Sequence, residues 1–137
     1  MRLINEIIIH CSDTEEGENF KAEDINRWHV ARGFDEIGYH FVVDLDGTIE
    51  RGRRLWKVGA HCAGHNVHTI GVCYIGGRRN GKCADTRTPA QKVALDVLIA
   101  SLCTMFPNID RICGHRDYAA KACPCFDAVK EYSEFLS

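Results

Sequence analysis

The sequence predicts a single α/β domain over residues 1–137, a central mixed β-sheet flanked by α-helices, and three observations carry that expectation. The unbroken run Ile7-Ile8-Ile9 has no polar alternation, as in a strand covered on both faces at the centre of a sheet. Strand-like and helix-like segments alternate along the chain, the order of a sheet with helices packed on its faces. Asp46-Gly47 sits between two alternating segments, and because both residues tolerate positive φ it specifies a hairpin, so one strand pair is antiparallel. A chain of this length buries roughly two-thirds of the surface its unfolded form exposes, enough for one core with little room for a second.

Taken in order, Leu3 to Cys11 reads as the central strand, with His10 emerging near its C-terminal end. Ser12 to Asn19 is a polar loop suited to the rim of a cleft. Ala22 to Arg32 has helical spacing with Ile25, Trp28 and His29 inward, Trp28 as a core anchor, and Gly33 as the stop. Ile37 to Val43 and Thr48 to Arg51 form the hairpin arms. Period two puts Tyr39 and His40 on opposite faces without saying which faces His10. Leu55 to Val58 is a short extended piece, and the small residues of Gly59 to Asn66 suit a loop pressed close to something.

Thr69 to Ile75 is a second buried strand ended by Gly76-Gly77, and Arg78 to Arg87 reads as a polar loop. Thr88-Pro89 opens a long helix, threonine as cap and proline at the first position. Val93, Leu95, Val97, Leu98, Leu102 and Met105 are expected to form its sheet-covering face. Ile109 to Cys113 is a short strand delivering His115, and Ala128 to Leu136 is a closing helix.

Net charge is −2, and the basic clusters Arg51 to Arg54 and Arg78-Arg79 read as solvated turns, so no nucleic-acid partner is expected. Asn5 and Glu6 fall inside what would have to be the apolar segment of a secretion signal, and the stretch is too short to span a membrane, so neither is expected. Synthesis in a reducing cytosol follows as an expectation, with most of the eight cysteines free, Cys73 and Cys103 as small core residues, and no disulfide needed for folding.

The densest chemistry lies in G-H-R-D-Y-A-A-K-A-C-P-C-F-D, from Gly114 to Asp127. His115 and Cys123 are good zinc ligands, but no zinc-finger partner stands nearby, so a third ligand must come from far away. His10 is the best candidate. Three protein ligands leave one position open, the arrangement of a catalytic zinc site.

These residues, with I-I-I-H-C-S (Ile7 to Ser12), G-Y-H-F (Gly38 to Phe41), D-G-T-I-E (Asp46 to Glu50), V-G-A-H (Val58 to His61), I-G-V-C-Y-I-G-G (Ile70 to Gly77) and T-P-A-Q (Thr88 to Gln91), resemble the zinc-dependent N-acetylmuramoyl-L-alanine amidases of small bacteriophage lysozymes, relatives of the peptidoglycan-recognition proteins. The resemblance implies a mixed sheet with flanking helices and a cleft holding Zn2+, where the amide between N-acetylmuramic acid and L-alanine of peptidoglycan is cut. It implies His10, His115 and Cys123 as metal ligands, Tyr39 and Lys121 as catalytic residues, and His61 and Asn66 near the substrate groove. Cys125 departs from the family pattern and stands as a rival thiolate two residues from Cys123. No Glu matches a general-base position. A binding-only module is the alternative, against which Tyr39 and Cys123 both speak. A monomer is expected, made in the cytoplasm and acting on the cell wall after release or export, as a phage or prophage endolysin or an exported effector.

Overall fold

The computed structural model describes residues 2–136. Parity along the first strand decides the layout. In β1 (Glu6–Cys11) every residue is buried, and successive side chains point to opposite faces, so Ile7, Ile9 and Cys11 enter one core while Ile8 and His10 enter the other side. β1 lies inside a five-stranded sheet of order β4-β3-β5-β1-β8, built with β3 (Phe41–Val43), β4 (Ile49–Arg51), β5 (Thr69–Tyr74) and β8 (Arg111–Gly114). β1 runs parallel to β5 and β8, β3 runs parallel to β5, and only the β3–β4 hairpin is antiparallel. The sheet is mixed, as the Ile run and the Asp-Gly turn together predict.

One face carries the main core, where Ile7, Ile9, Ile70, Val72 and Tyr74 pack against α2 (Pro89–Met105) and α3 (Ala128–Tyr132). α2 starts where the Thr-Pro signal places it. Thr88 Oγ1 accepts from Gln91 N at 3.0 Å and Gln91 Oε1 accepts from Thr88 N at 2.9 Å, a reciprocal capping box. The buried Gln91 amide also donates to Val43 O and Ile75 O, so the cap doubles as a clamp on the sheet.

The expected inner face of α2 needs correction. Leu95, Leu98 and Leu102 are buried with Ala94 and Ile99, but Val93, Val97 and Met105 are 64%, 57% and 60% exposed. At 100° per residue, Val93 and Val97 both lie on the far side of the axis from Leu95, and the sheet takes only the stripe 95, 98, 99 and 102.

The other face of the sheet is covered in two parts. α1 (Ala22–Ala31) packs Ile25 onto Val42, Cys73 and Ile75, with Trp28 half-buried at the margin. Glu50 accepts the first helical N–H, from Ala22, at 2.8 Å. The loop from Gly59 to Asn66 covers the rest, placing Cys62 over Ile8 and Cys113. Between these two covers the face stays open. The strand expected from Ile37 begins only at Phe41. His40 N still donates to Gly71 O and Tyr39 O accepts from Arg53 N, while Gly38 docks on this loop: Ala60 N donates to Gly38 O, and a Cβ on Gly38 would meet Ala60 O at 2.0 Å.

The stretch expected as a polar loop after Gly77 is instead β6 (Gly77–Arg79) and β7 (Lys82–Cys83), which join β2 (Thr14–Glu15) in a small second sheet. Its strands are too short and too exposed to show an alternation. Most of the cysteines are free, as expected, but two are joined. Cys83 and Cys125 form a disulfide, while Cys11, Cys62, Cys73, Cys103, Cys113 and Cys123 remain free. The closing helix is also shorter than expected, ending at Tyr132 before a 3-10 turn over Ser133–Leu136. No helix among the described residues is long and apolar enough to cross a membrane.

Candidate metal centre

The gap between α1 and the Gly59–Asn66 loop is a cleft of about 980 Å³, lined by Tyr39, His61, Asn66, His115, Lys121 and Cys123 among others. Three elements deliver its donor atoms. His10 comes from β1, fully buried. His115 opens the 3-10 turn that follows β8, a turn held by Asp117 Oδ2 accepting from Gly114 N at 2.8 Å. Cys123 lies on the next loop, anchored where Cys123 O accepts from Arg116 N at 2.7 Å and Tyr74 OH donates to Pro124 O at 2.7 Å.

Among the described residues, His10, His115 and Cys123 are the one group of three or more His, Cys, Asp or Glu whose ligand atoms all lie within 4.8 Å of one another. The donor set fits a metal. His10 Nε2 is already bonded to His61 Nδ1 at 2.9 Å, which leaves His10 Nδ1 buried without a hydrogen-bond partner. An orphaned imidazole nitrogen in a dry position is costly unless something binds it. Cys123 Sγ accepts from Cys11 N at 3.2 Å, a bond that favours a thiolate there. Cys125, the rival thiolate, is taken up by its bond to Cys83.

The protein's own groups keep the cluster uncharged. Burial lowers the His10 pKa well below the usual value, with His61, His115, His29 and Lys121 adding to the effect. Burial lowers that of His115, with the Lys121 ammonium second. The Cys11 thiol, through its hydrogen bond, and then burial push Cys123 upward. A cation placed among the three would be the missing charge that makes a thiolate favourable.

Tyr39 resolves the choice that periodicity left open. Its ring centroid lies 4.9 Å from that of His10, while His40 points behind the site, accepting from Gly71 N at 3.0 Å. Burial holds the Tyr39 hydroxyl well above its usual pKa, so it stays a hydrogen-bond donor at neutral pH. His29 Nδ1 fixes the backbone before it by accepting from Gly38 N at 2.9 Å. The exposed Lys121 faces the same cleft, and no carboxylate pairs with it among the described residues.

The two residues expected near the groove both line the cleft but are differently engaged. Asn66 Oδ1 accepts from His61 N and Cys62 N, each at 3.0 Å, and so braces its own loop. His61 is 8% exposed and bonded through both ring nitrogens. Trp28 proves to be both a core neighbour and part of the cleft wall, its ring against Phe20. Cys11 and Thr69 lie in segments read only as strands, and neither their contacts with Cys123 and His61 nor the stacking of His65 on Tyr118, with centroids 3.7 Å apart, was assigned from sequence, since the partners are distant segments. His68 remains exposed, its ring nitrogen at 3.1 Å from Leu3 O.

Two imidazoles and a thiol converge in a surface cleft of an α/β sheet, a donor set that could hold a metal ion, and comparison with known proteins supplies the class. The family model described as N-acetylmuramoyl-L-alanine amidase matches residues 1–126, and the chain belongs to that family. The endolysin of Enterobacteria phage T3 is 40% identical over 122 residues, which span 88% of this chain and 80% of that one. Among solved structures, the N-acetylmuramoyl-L-alanine amidase LysC from Clostridium intestinale URNW superposes with a TM-score of 0.83 at 30% identity, covering 97% of this chain and 85% of LysC. Drosophila PGRP-LB gives 0.80 at 26% identity, covering 97% and 81%.

Proposed function

We propose that this amidase is a zinc enzyme that cuts the bond between the lactyl group of N-acetylmuramic acid and L-alanine of the stem peptide, and that it serves as a phage or prophage endolysin. The observation that carries the reading is the convergence of His10, His115 and Cys123 beside an orphaned imidazole nitrogen, in the cleft that also holds Tyr39 and Lys121. Two imidazoles and a thiolate suit zinc better than a hard cation, and three ligands leave one position open. Zinc bound there would supply a Lewis acid and lower the pKa of a coordinated water from 15.7 to about 7.

The chain's own residues do the rest. Amide hydrolysis builds negative charge on the former carbonyl oxygen, and we assign the Lys121 ammonium and the Tyr39 hydroxyl, which both line the cleft, as the donors that meet it. Tyr39 keeps its proton because ionisation in that buried position is unfavourable. Asn66 and the half-buried Trp28 border the cleft as candidates for holding the glycan or peptide. The likeness to the phage T3 endolysin supports the lytic role.

Digestion of purified peptidoglycan followed by mass analysis of the fragments tests this reading. Stem peptides freed whole from muramic acid are the expected products. Binding to the wall with every lactyl amide intact would instead indicate a recognition module.

A further inference from the structure

His61 lies beneath the metal cluster, within a hydrogen-bonded chain whose direction can be worked out from its far end. Thr69 Oγ1 sits 2.7 Å from His65 O. A carbonyl only accepts, so the single hydroxyl proton of Thr69 goes there. Thr69 Oγ1 must then accept from His61 Nε2–H, at 3.2 Å. A neutral imidazole has one N–H, so His61 Nδ1 is an acceptor, and the proton of the 2.9 Å contact belongs to His10 Nε2. That tautomer puts the lone pair of His10 on Nδ1, the buried atom with no partner.

The seat under His61 is shaped to its ring. A Cβ on Gly71 would come within 2.6 Å of His61 Cγ, and one on Gly59 within 2.7 Å of His61 Cδ2. Gly71 pairs with Ile8 in the β1–β5 ladder, two residues before His10, and this register sets the ring beside its partner. His40 holds the same strand from behind through Gly71 N.

We propose that His61, backed by Thr69, is the positioning residue of the metal centre: it locks His10 in the tautomer and ring orientation that present Nδ1 to a zinc ion. The proposal rests on the reading of His10 as a metal ligand given under Proposed function. It assigns His61 to metal retention in place of the groove contact that family resemblance implies. Outer partners of ligating histidines commonly act in this way, and their loss weakens metal binding about 10- to 100-fold.

The test is zinc affinity at fixed pH, measured by competition with a chromophoric chelator, in the parent and in His61→Ala, Thr69→Val, Thr69→Ser and His10→Ala. His61→Ala should bind zinc about 10- to 100-fold more weakly. Thr69→Val should shift in the same direction by less, and Thr69→Ser, which keeps the hydroxyl, should match the parent. Nitrogen-15 spectra of the zinc-loaded parent should show both His61 and His10 protonated on Nε2. Parent-like affinity in His61→Ala, or a proton on His61 Nδ1, overturns the proposal, and if His61→Ala does not fold the parent's spectra decide alone. His10→Ala separates the two readings. Full zinc affinity in that variant removes the ligand assignment itself, whereas zinc loss there beside an unaffected His61→Ala removes only the positioning role.

Discussion

Cys83 and Cys125 are joined across 42 residues of sequence, tying the β6–β7 hairpin to the loop that presents Cys123. Closing a loop of that length stabilises the folded chain by roughly 4 kcal/mol in the chain-entropy picture. The double variant Cys83→Ser/Cys125→Ser should therefore melt several degrees below the parent, as should the parent in reductant. It should keep its zinc, because neither cysteine belongs to the ligand cluster. Equal thermal midpoints with and without the bond would show that it constrains nothing.

Replacing Cys123 should have the opposite signature. Cys123→Ser removes the only thiolate in the cluster, and metal analysis should find zinc largely lost after dialysis. A full complement of zinc in that variant points to another ligand, with Cys11, whose amide already contacts Cys123 Sγ, as the next residue to replace.

Tyr39→Phe and Lys121→Met should each retain zinc, since neither side chain belongs to the ligand group. Each removes a donor that acts mainly on charge developing in the transition state, so kcat should fall about a hundred- to a thousandfold while KM changes little. Turnover within about threefold of the parent, far short of that loss, would exclude an oxyanion role.

A pH effect on stability is expected at a site remote from the metal. Burial, then the hydrogen bond and charge of Glu50, raise the Asp44 pKa to about 7, partly offset by Lys21. One carboxylate oxygen of Asp44 is buried without a partner. In the unfolded chain the same group titrates near 3.9, so between about pH 4 and pH 7 the folded state binds more protons and the Asp44 contribution falls as pH rises. Asp44→Asn should remove that slope. Its thermal midpoint, compared with the parent across this range, should gain steadily with pH, and a constant difference would mean that Asp44 ionises normally.

Local chemistry in the sequence determined the elements whose signals are short-range. The Ile7 to Ile9 run became a strand buried on both faces, the Thr88 and Pro89 pair became a capped helix start, and Asp46-Gly47 became the one antiparallel turn of the main sheet. The gathering of His10, His115 and Cys123 was legible as well, because residue type and motif single out these side chains, and their donor atoms lie within 4.8 Å of one another. Tertiary structure decided everything that depends on which segments become neighbours. Tyr39 faces His10 because its segment docks on the Gly59 loop, and Val93 and Val97 face outward because the sheet accepts only one stripe of α2. Cys83 meets Cys125, and Thr69 reaches His10 through His61, only because the strand order β4-β3-β5-β1-β8 and the small second sheet bring distant residues together. Periods of two and 3.6 residues report which way a side chain points from its own element; they carry no information about the partner it will find there.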